Sequence, residues 1–229
     1  MTPPTLTDLA DWLRASLGEP EPLRRPGPPE VRRLALALEP ADLPAEPEAD
    51  ALFLHRSRRL GNAWPGLGIL GVHDGFDSHL TTGPNRRLAR ALGWADVREV
   101  VWEGRIVGLI ATPPQRTWAE LRAALHAELG GEDTSWPPDP ASSLRLALMN
   151  AMNSALIGHV VNLGVRVYLT GQLRPSAVAA TKERGVGVIA LGHRRTELWG
   201  LCQLARELRA AFPDLQTQVY PTAEAVTPG

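Results

Sequence analysis

Residues 165–191, VRVYLTGQLRPSAVAATKERGVGVIAL, decide the fold class. Val165 to Leu169 is a short apolar run and reads as a strand. Ser176 to Glu183 reads as a helix. Val186 to Leu191 is apolar and β-branched again and reads as a second strand. Strand, helix and strand in succession describe a crossover unit, and such units build sheets with parallel pairing.

The same alternation extends outward in both directions. On the N-terminal side, Leu144 to Leu163 accepts one long helix by periodicity alone. The preferred reading is a strand to about Met149, a loop at residues 150–154 and a helix stopped by Gly164. SWPPDP, residues 135–140, reads as a rigid connector. Thr117 to Leu129 is the clearest helix. Thr117 and Glu120 form a capping-box pattern, and Gly130 follows the last turn. Val97–Trp102 and Arg105–Ala111 suit a hairpin turning at Glu103-Gly104. Asn85 to Leu92 is a short helix stopped by Gly93. Leu67–Val72, Ala51–Leu54 and Val31–Leu38 are candidate strands. Residues 19–29, EPEPLRRPGPP, and 40–50, PADLPAEPEAD, read as loops. Thr5 to Leu17 is an amphipathic helix with Leu6, Leu9, Leu13 and Leu17 on one stripe, Trp12 beside it and Gly18 as its cap. On the C-terminal side, Glu197 to Phe212 reads as a helix with Leu198, Leu201, Cys202, Ala205 and Leu208 turned inward. Residues 221–229 read as a loose end.

The fold class is therefore α/β. The 229 residues suffice for one large unit or two small interlocked lobes. The hydrophobic fraction of 44% and charged fraction of 21% are ordinary for a globular protein. A net charge of −1 gives no global footprint for nucleic acid or anionic membrane. Lys182 is the only lysine, so arginine carries almost all the positive charge. Cys202 is the only cysteine, which excludes an internal disulfide and a Cys₄ zinc site. It falls on an apolar stripe and reads as an inert core thiol. No basic-then-apolar leader opens the chain, and no apolar run approaches the ~20 residues of a membrane span. The cytoplasm is the expected location. Trp12, Trp94, Trp118 and Trp199 sit by apolar helix faces and read as core or subunit contacts.

Three segments carry chemistry: DALFLHR (50–56), GVHDGFDSHL (71–80) and VIALGHRRTE (188–197). His55, His73 and His193 each follow a candidate strand, where α/β sheets place functional groups. His193 and Glu197 are four residues apart and on a helix or its first turn would lie on one face; Asp77, four residues after His73, has the same spacing. Imidazole and carboxylate suit zinc, manganese or iron. Taken singly, each pair equally fits a solvated helix face, and His55 fits a polar residue closing a strand.

Together, DALFLHR, HDGFDSHLTTGPNRRLARALGW, YLTGQ and IALGHRRTELWG resemble the NIF-three-like family in order and spacing, from Asp50 to Leu204. The Gly83–Gly93 stretch, GPNRRLARALG, is nearly unaltered from the family pattern. The family's early Asp-Asn-x-Gly-Leu segment is missing. The resemblance implies a single unit over residues 1–229 with two interlocked α/β lobes. The chain's two ends share one lobe, and roughly residues 95–190 form the other. It also implies assembly as a toroidal homohexamer around a cavity that faces paired metal ions. Carried over, His55 matches the first histidine of the family's pair, Asp77 its bridging aspartate, and His193 and Glu197 its late histidine and glutamate. These four are the implied metal ligands. Some family members carry the name GTP cyclohydrolase I type 2.

The chain departs from that pattern in one electrostatic direction. The second histidine of the pair is Arg56, whose guanidinium has no lone pair to donate. Beside Asp77 or Glu197 it could take a cation's place. The family's Thr-Gly-Glu is Thr170-Gly171-Gln172 here, with Arg174 close behind, and residues 150–154, NAMNS, replace a glycine-rich loop. Four candidate ligands beside an arginine fit one divalent ion better than two. Two functions compete. One is a metal-dependent hydrolase, in which a divalent ion lowers the pKa of bound water towards ~7. There His73 is the proton-transfer candidate, and Arg56 and Arg174 hold a nucleotide or another phosphorylated small molecule. The other is a non-enzymatic binding or scaffold protein with a degenerate metal site. No Walker A or Rossmann glycine pattern is present.

Overall fold

Thr5 opens the chain's first helix because its hydroxyl accepts the Asp8 N–H while the Asp8 carboxylate accepts the Thr5 N–H. A computed structural model describes residues 2–58, 60–140 and 143–220. In chain order the elements are α1 (Leu6–Leu17), β1 (Leu23–Arg25), β2 (Arg33–Ala37), β3 (Ala51–Leu54), β4 (Gly68–Gly71), α2 (Asp74–Leu80) and α3 (Arg86–Ala91). They continue with β5 (Ala95–Trp102), β6 (Arg105–Thr112), α4 (Trp118–Leu129), β7 (Thr134–Trp136), β8 (Leu146–Met149) and α5 (Ser154–Asn162). The last are β9 (Val167–Thr170), α6 (Pro175–Glu183), β10 (Gly187–Ala190), α7 (His193–Ala211) and β11 (Gln216–Val219). The chain divides into two compact units: the described residues of Met1–Phe76 with Gly200–Gly229, and those of Asp77–Trp199.

The first unit holds a five-stranded sheet ordered β1-β4-β3-β2-β11. The β11–β2, β2–β3 and β3–β4 pairs are parallel, and β1 is antiparallel on β4. Strands β3 and β4 are buried along their whole length, so ALFL and GILG are continuous apolar runs without alternation. α1 buries Leu6, Leu9, Ala10, Leu13 and Leu17, the stripe expected from the sequence.

The second unit holds a six-stranded sheet ordered β5-β6-β8-β9-β10-β7, with β8, β9 and β10 parallel. The pleat separates its core into two layers. Leu146, Leu148, Val167, Leu169 and Ile189 face one way and meet Leu121, Leu125 and Leu129 of α4. Ala147, Met149, Tyr168 and Val188 face the other way and meet Leu156, Ile157 and Val160 of α5 and Ala177 and Ala180 of α6. Each fully buried leucine stabilises the fold by roughly 1.5–3 kcal/mol. Trp94 and Trp199 lie buried in the first layer, and Trp118 packs half-buried against it.

Several local expectations are corrected. The proline-rich stretch after α1 contains β1, and the expected rigid connector contains β7. Both are three-residue strands on sheet edges, where neighbouring prolines are tolerated because one side of the strand needs no partner. Another edge strand, β11, has no apolar signature, and its residues alternate between exposed and half-buried. α2 occupies the segment after His73, where the sequence marks no element. α7 begins at His193, four residues before the expected start. On α7, Leu201, Ala205 and Leu208 are buried as expected, but Leu198 is half-buried and Cys202 is exposed. Its thiol is therefore not a core group. Residues 221–229, expected to be loose, lie outside the described residues.

Candidate metal centre

His55 follows directly on β3, and its N–H continues that strand's ladder by donating to the Ala37 carbonyl at 3.2 Å. Its side chain is 1% exposed, and its Nδ1 lies 3.2 Å from the Val72 carbonyl oxygen. A carbonyl only accepts, so Nδ1 carries the proton in the neutral ring. That leaves the lone pair on the buried Nε2. Orientation of a histidine through its other nitrogen is the usual support for a metal-binding imidazole.

β4 delivers the second histidine. His73 stands two residues beyond that strand and immediately before α2. Its ring meets the His55 ring edge-on, with centroids 4.7 Å apart. Early in α2, the buried Phe76 packs against His55 at 4.5 Å and fixes the rear of that imidazole. Asp77 is four residues after His73 and lies on the same helical face. Gly75 is what lets this helix approach α1: a Cβ there would fall 2.0 Å from the Leu17 carbonyl oxygen. One ligand atom each from His55, His73 and Asp77 lies within 4.8 Å of the others. His55 is buried, whereas His73 and Asp77 are partly exposed, so the group has a closed back and an open front.

A cavity of about 290 Å³ opens beside the two histidines and is also lined by Glu19, Arg24, Ser57, Arg58 and Asp74. Sequence reasoning misses these five residues, since β1 reads as loop and nothing in RSR marks a lining. By sequence His73 is a proton-transfer candidate; in the structure it stands among the ligand-competent groups.

The late pair lies in the second unit. His193 opens α7, and its Nε2 lies 3.1 Å from Glu197 Oε1. Glu197 is 1% exposed, and His193 is exposed. Arg56 follows His55 and is half-buried. Arg174 is exposed at the position preceding α6. A second cavity of about 290 Å³ is lined by the residues after β8, β9 and β10, including Asn150, Asn153, Gln172, Arg174 and His193.

An α/β chain with two histidines and an aspartate converging beyond parallel strands defines a protein with a candidate metal centre. The Duf34/NIF3 (NGG1p interacting factor 3) family matches residues 64–227, and the chain belongs to that family. It is 26% identical to a GTP cyclohydrolase 1 type 2 homolog of Deinococcus radiodurans, over 89% of this chain and 87% of that protein. A protein of the same name from Pseudomonas aeruginosa is also 26% identical, with 84% and 85% covered. Among solved structures, TTHA1606 from Thermus thermophilus superposes with a TM-score of 0.69 at 22% identity, covering 96% of this chain and 99% of that one. Reduced HcgD from Methanocaldococcus jannaschii gives 0.69 at 16% identity, with 94% and 97% covered. These likenesses carry the fold. Among the described residues, no helix is long and apolar enough to cross a membrane.

Proposed function

We propose that the chain is a metal-dependent hydrolase acting on a nucleotide or another phosphorylated small molecule. One observation carries this reading: the ligand atoms of His55, His73 and Asp77 lie within 4.8 Å of one another. Two imidazoles and one carboxylate suit zinc, manganese or iron, and the tautomer imposed on His55 by Val72 presents a lone pair at Nε2. These residues fit a single divalent cation. By resemblance to the family, His193 and Glu197 complete the ligand set. When bound, the cation supplies Lewis acidity and a lowered pKa for a coordinated water. The chain's own groups do the rest. His55 is held rigid, and His73, on the open side, takes or delivers a proton when it is not engaged as a ligand. Arg56 and Arg174 bind the substrate's anionic end. The names of the GTP cyclohydrolase 1 type 2 homologs support a nucleotide as substrate. The reading includes self-assembly into the family's toroidal homohexamer and a cytoplasmic location.

A second reading, a non-enzymatic binding or scaffold protein, is favoured by Arg56, which places a permanent cation directly after His55.

Elemental analysis of protein purified without a metal-affinity tag separates the two. The expected result is about one equivalent of divalent metal per chain, lost in His55→Ala and in Asp77→Ala. Turnover of GTP or a phosphate monoester should then depend on that metal. A metal-free wild type, beside an Arg56→His variant that acquires metal, establishes the scaffold reading instead. Light scattering on the same preparation reads the assembly: six copies support the ring, and a monomer removes it.

A further inference from the structure

Strands β8, β9 and β10 run parallel and end on one side of the second unit's sheet. Asn150 to Asn153 follow β8, Thr170 to Arg174 close and follow β9, and His193 comes three residues after β10. Together with Thr82 they enclose the second unit's cavity of about 290 Å³. Its position beyond the carboxyl ends of parallel strands is where open α/β sheets hold their ligands. Its volume is near the lower end for small-molecule sites, roughly 300 Å³.

The lining is chemically one-sided. None of the described residues around this cavity is acidic. Arg174 is the permanent cation, and Asn150, Asn153 and Gln172 offer amide N–H donors. The carboxylate of Glu197, one turn into α7, faces His193 Nε2 at 3.1 Å instead of lining the cavity. Helices α5, α6 and α7 all begin at this lining, so three helix N-termini lie along it.

Thr82 supplies an independent observation. Its residue is 7% exposed, it lines the cavity, and its hydroxyl makes no hydrogen bond among the described residues. A Cβ on Gly171, another lining residue, would come within 3.3 Å of that hydroxyl oxygen. Although the residue is largely buried, its hydroxyl faces the cavity with no protein acceptor among the described residues, and it can donate to a ligand's oxygen there.

We propose that this cavity is an anion site that holds a phosphoryl group, with Arg174 and the Thr82 hydroxyl as its main side-chain donors. The proposal deepens the hydrolase reading by locating the substrate's phosphate in the second unit. Binding itself requires no metal, and that separates the two tests.

Isothermal titration of inorganic phosphate and of glycerol 3-phosphate into the chelator-treated full chain, at constant ionic strength, tests it. Saturable binding at one site per chain is expected. Arg174→Ala weakens it about tenfold or more, and the near-isosteric Thr82→Val weakens it about threefold or more. Gln172→Glu weakens it by adding a negative charge. Arg58→Ala, in the other cavity, leaves it unchanged. Absence of saturable binding by the folded wild type overturns the proposal. So does binding indifferent to both Arg174→Ala and Thr82→Val, or lost in Arg58→Ala. Failure of the metal analysis leaves this result standing, and the converse also holds.

Discussion

Glu132 shows how single residues set the behaviour of the second unit. Its side chain is 6% exposed, and Arg122 donates to its Oε1 from Nε at 2.9 Å and from Nη2 at 2.6 Å. Ser135 donates to the same oxygen, and His126 Nε2 lies 3.0 Å from Oε2. Burial alone pushes this carboxyl's pKa up, but the hydrogen bonds from Arg122, Ser135 and His126 together outweigh it and hold the pKa below the usual glutamate value. Because the folded pKa is depressed, the contribution to stability is present above the unfolded value of ~4.3. It is lost as pH falls through the folded pKa. Glu132→Gln is expected to destabilise the protein by about 1–3 kcal/mol at neutral pH. Urea unfolding should show the gap to wild type shrinking as pH drops below about 4. A gap that stays constant with pH disproves the assignment. Little of this is legible in the sequence. Arg122 stands on α4, Glu132 in the turn after it and Ser135 on β7, and a cluster closed across that turn has no spacing signature. His55 is legible as a candidate because it closes an apolar run. Its tautomer is not, because Val72 belongs to another segment of the sheet.

At the scale of elements, local chemistry decides much. α4 starts where Thr117 accepts the Glu120 N–H and Glu120 accepts from the Thr117 N–H, and it stops at Gly130 in the left-handed conformation. Thr117→Ala removes one cap, and a loss of about 1 kcal/mol in chemical denaturation is expected. An unchanged midpoint shows that the cap contributes nothing in this context. The buried parallel strands are equally readable, since they must be apolar on both faces. Three of the four edge strands, β1, β7 and β11, are not. An edge strand borrows its hydrogen bonds from a neighbour and buries little, so its sequence needs neither alternation nor an apolar run. α2 escapes for a different reason. Its seven residues include a glycine, a poor helix former, and that glycine is there for the contact with Leu17.

For the whole molecule, a ligand that binds only the native state raises stability by mass action. A divalent cation held by His55, His73 and Asp77, supplied at about a hundred times its Kd, should add about 2.7 kcal/mol. A melting temperature several degrees higher is expected for wild type, with no rise for His55→Ala. An equal rise in both proteins places the cation elsewhere. The α/β class, the family and the strand ends on which the histidines stand are legible in the order of residues alone. Those properties follow from periodicity, capping and motif order, which are local along the chain. The folded chain was needed to see that His73 joins His55 and Asp77, that Cys202 faces solvent, and that an acid-free cavity lies beyond β8, β9 and β10. Each of these depends on which strands become neighbours and which helix face the core covers, and these are set by packing between segments far apart in the chain.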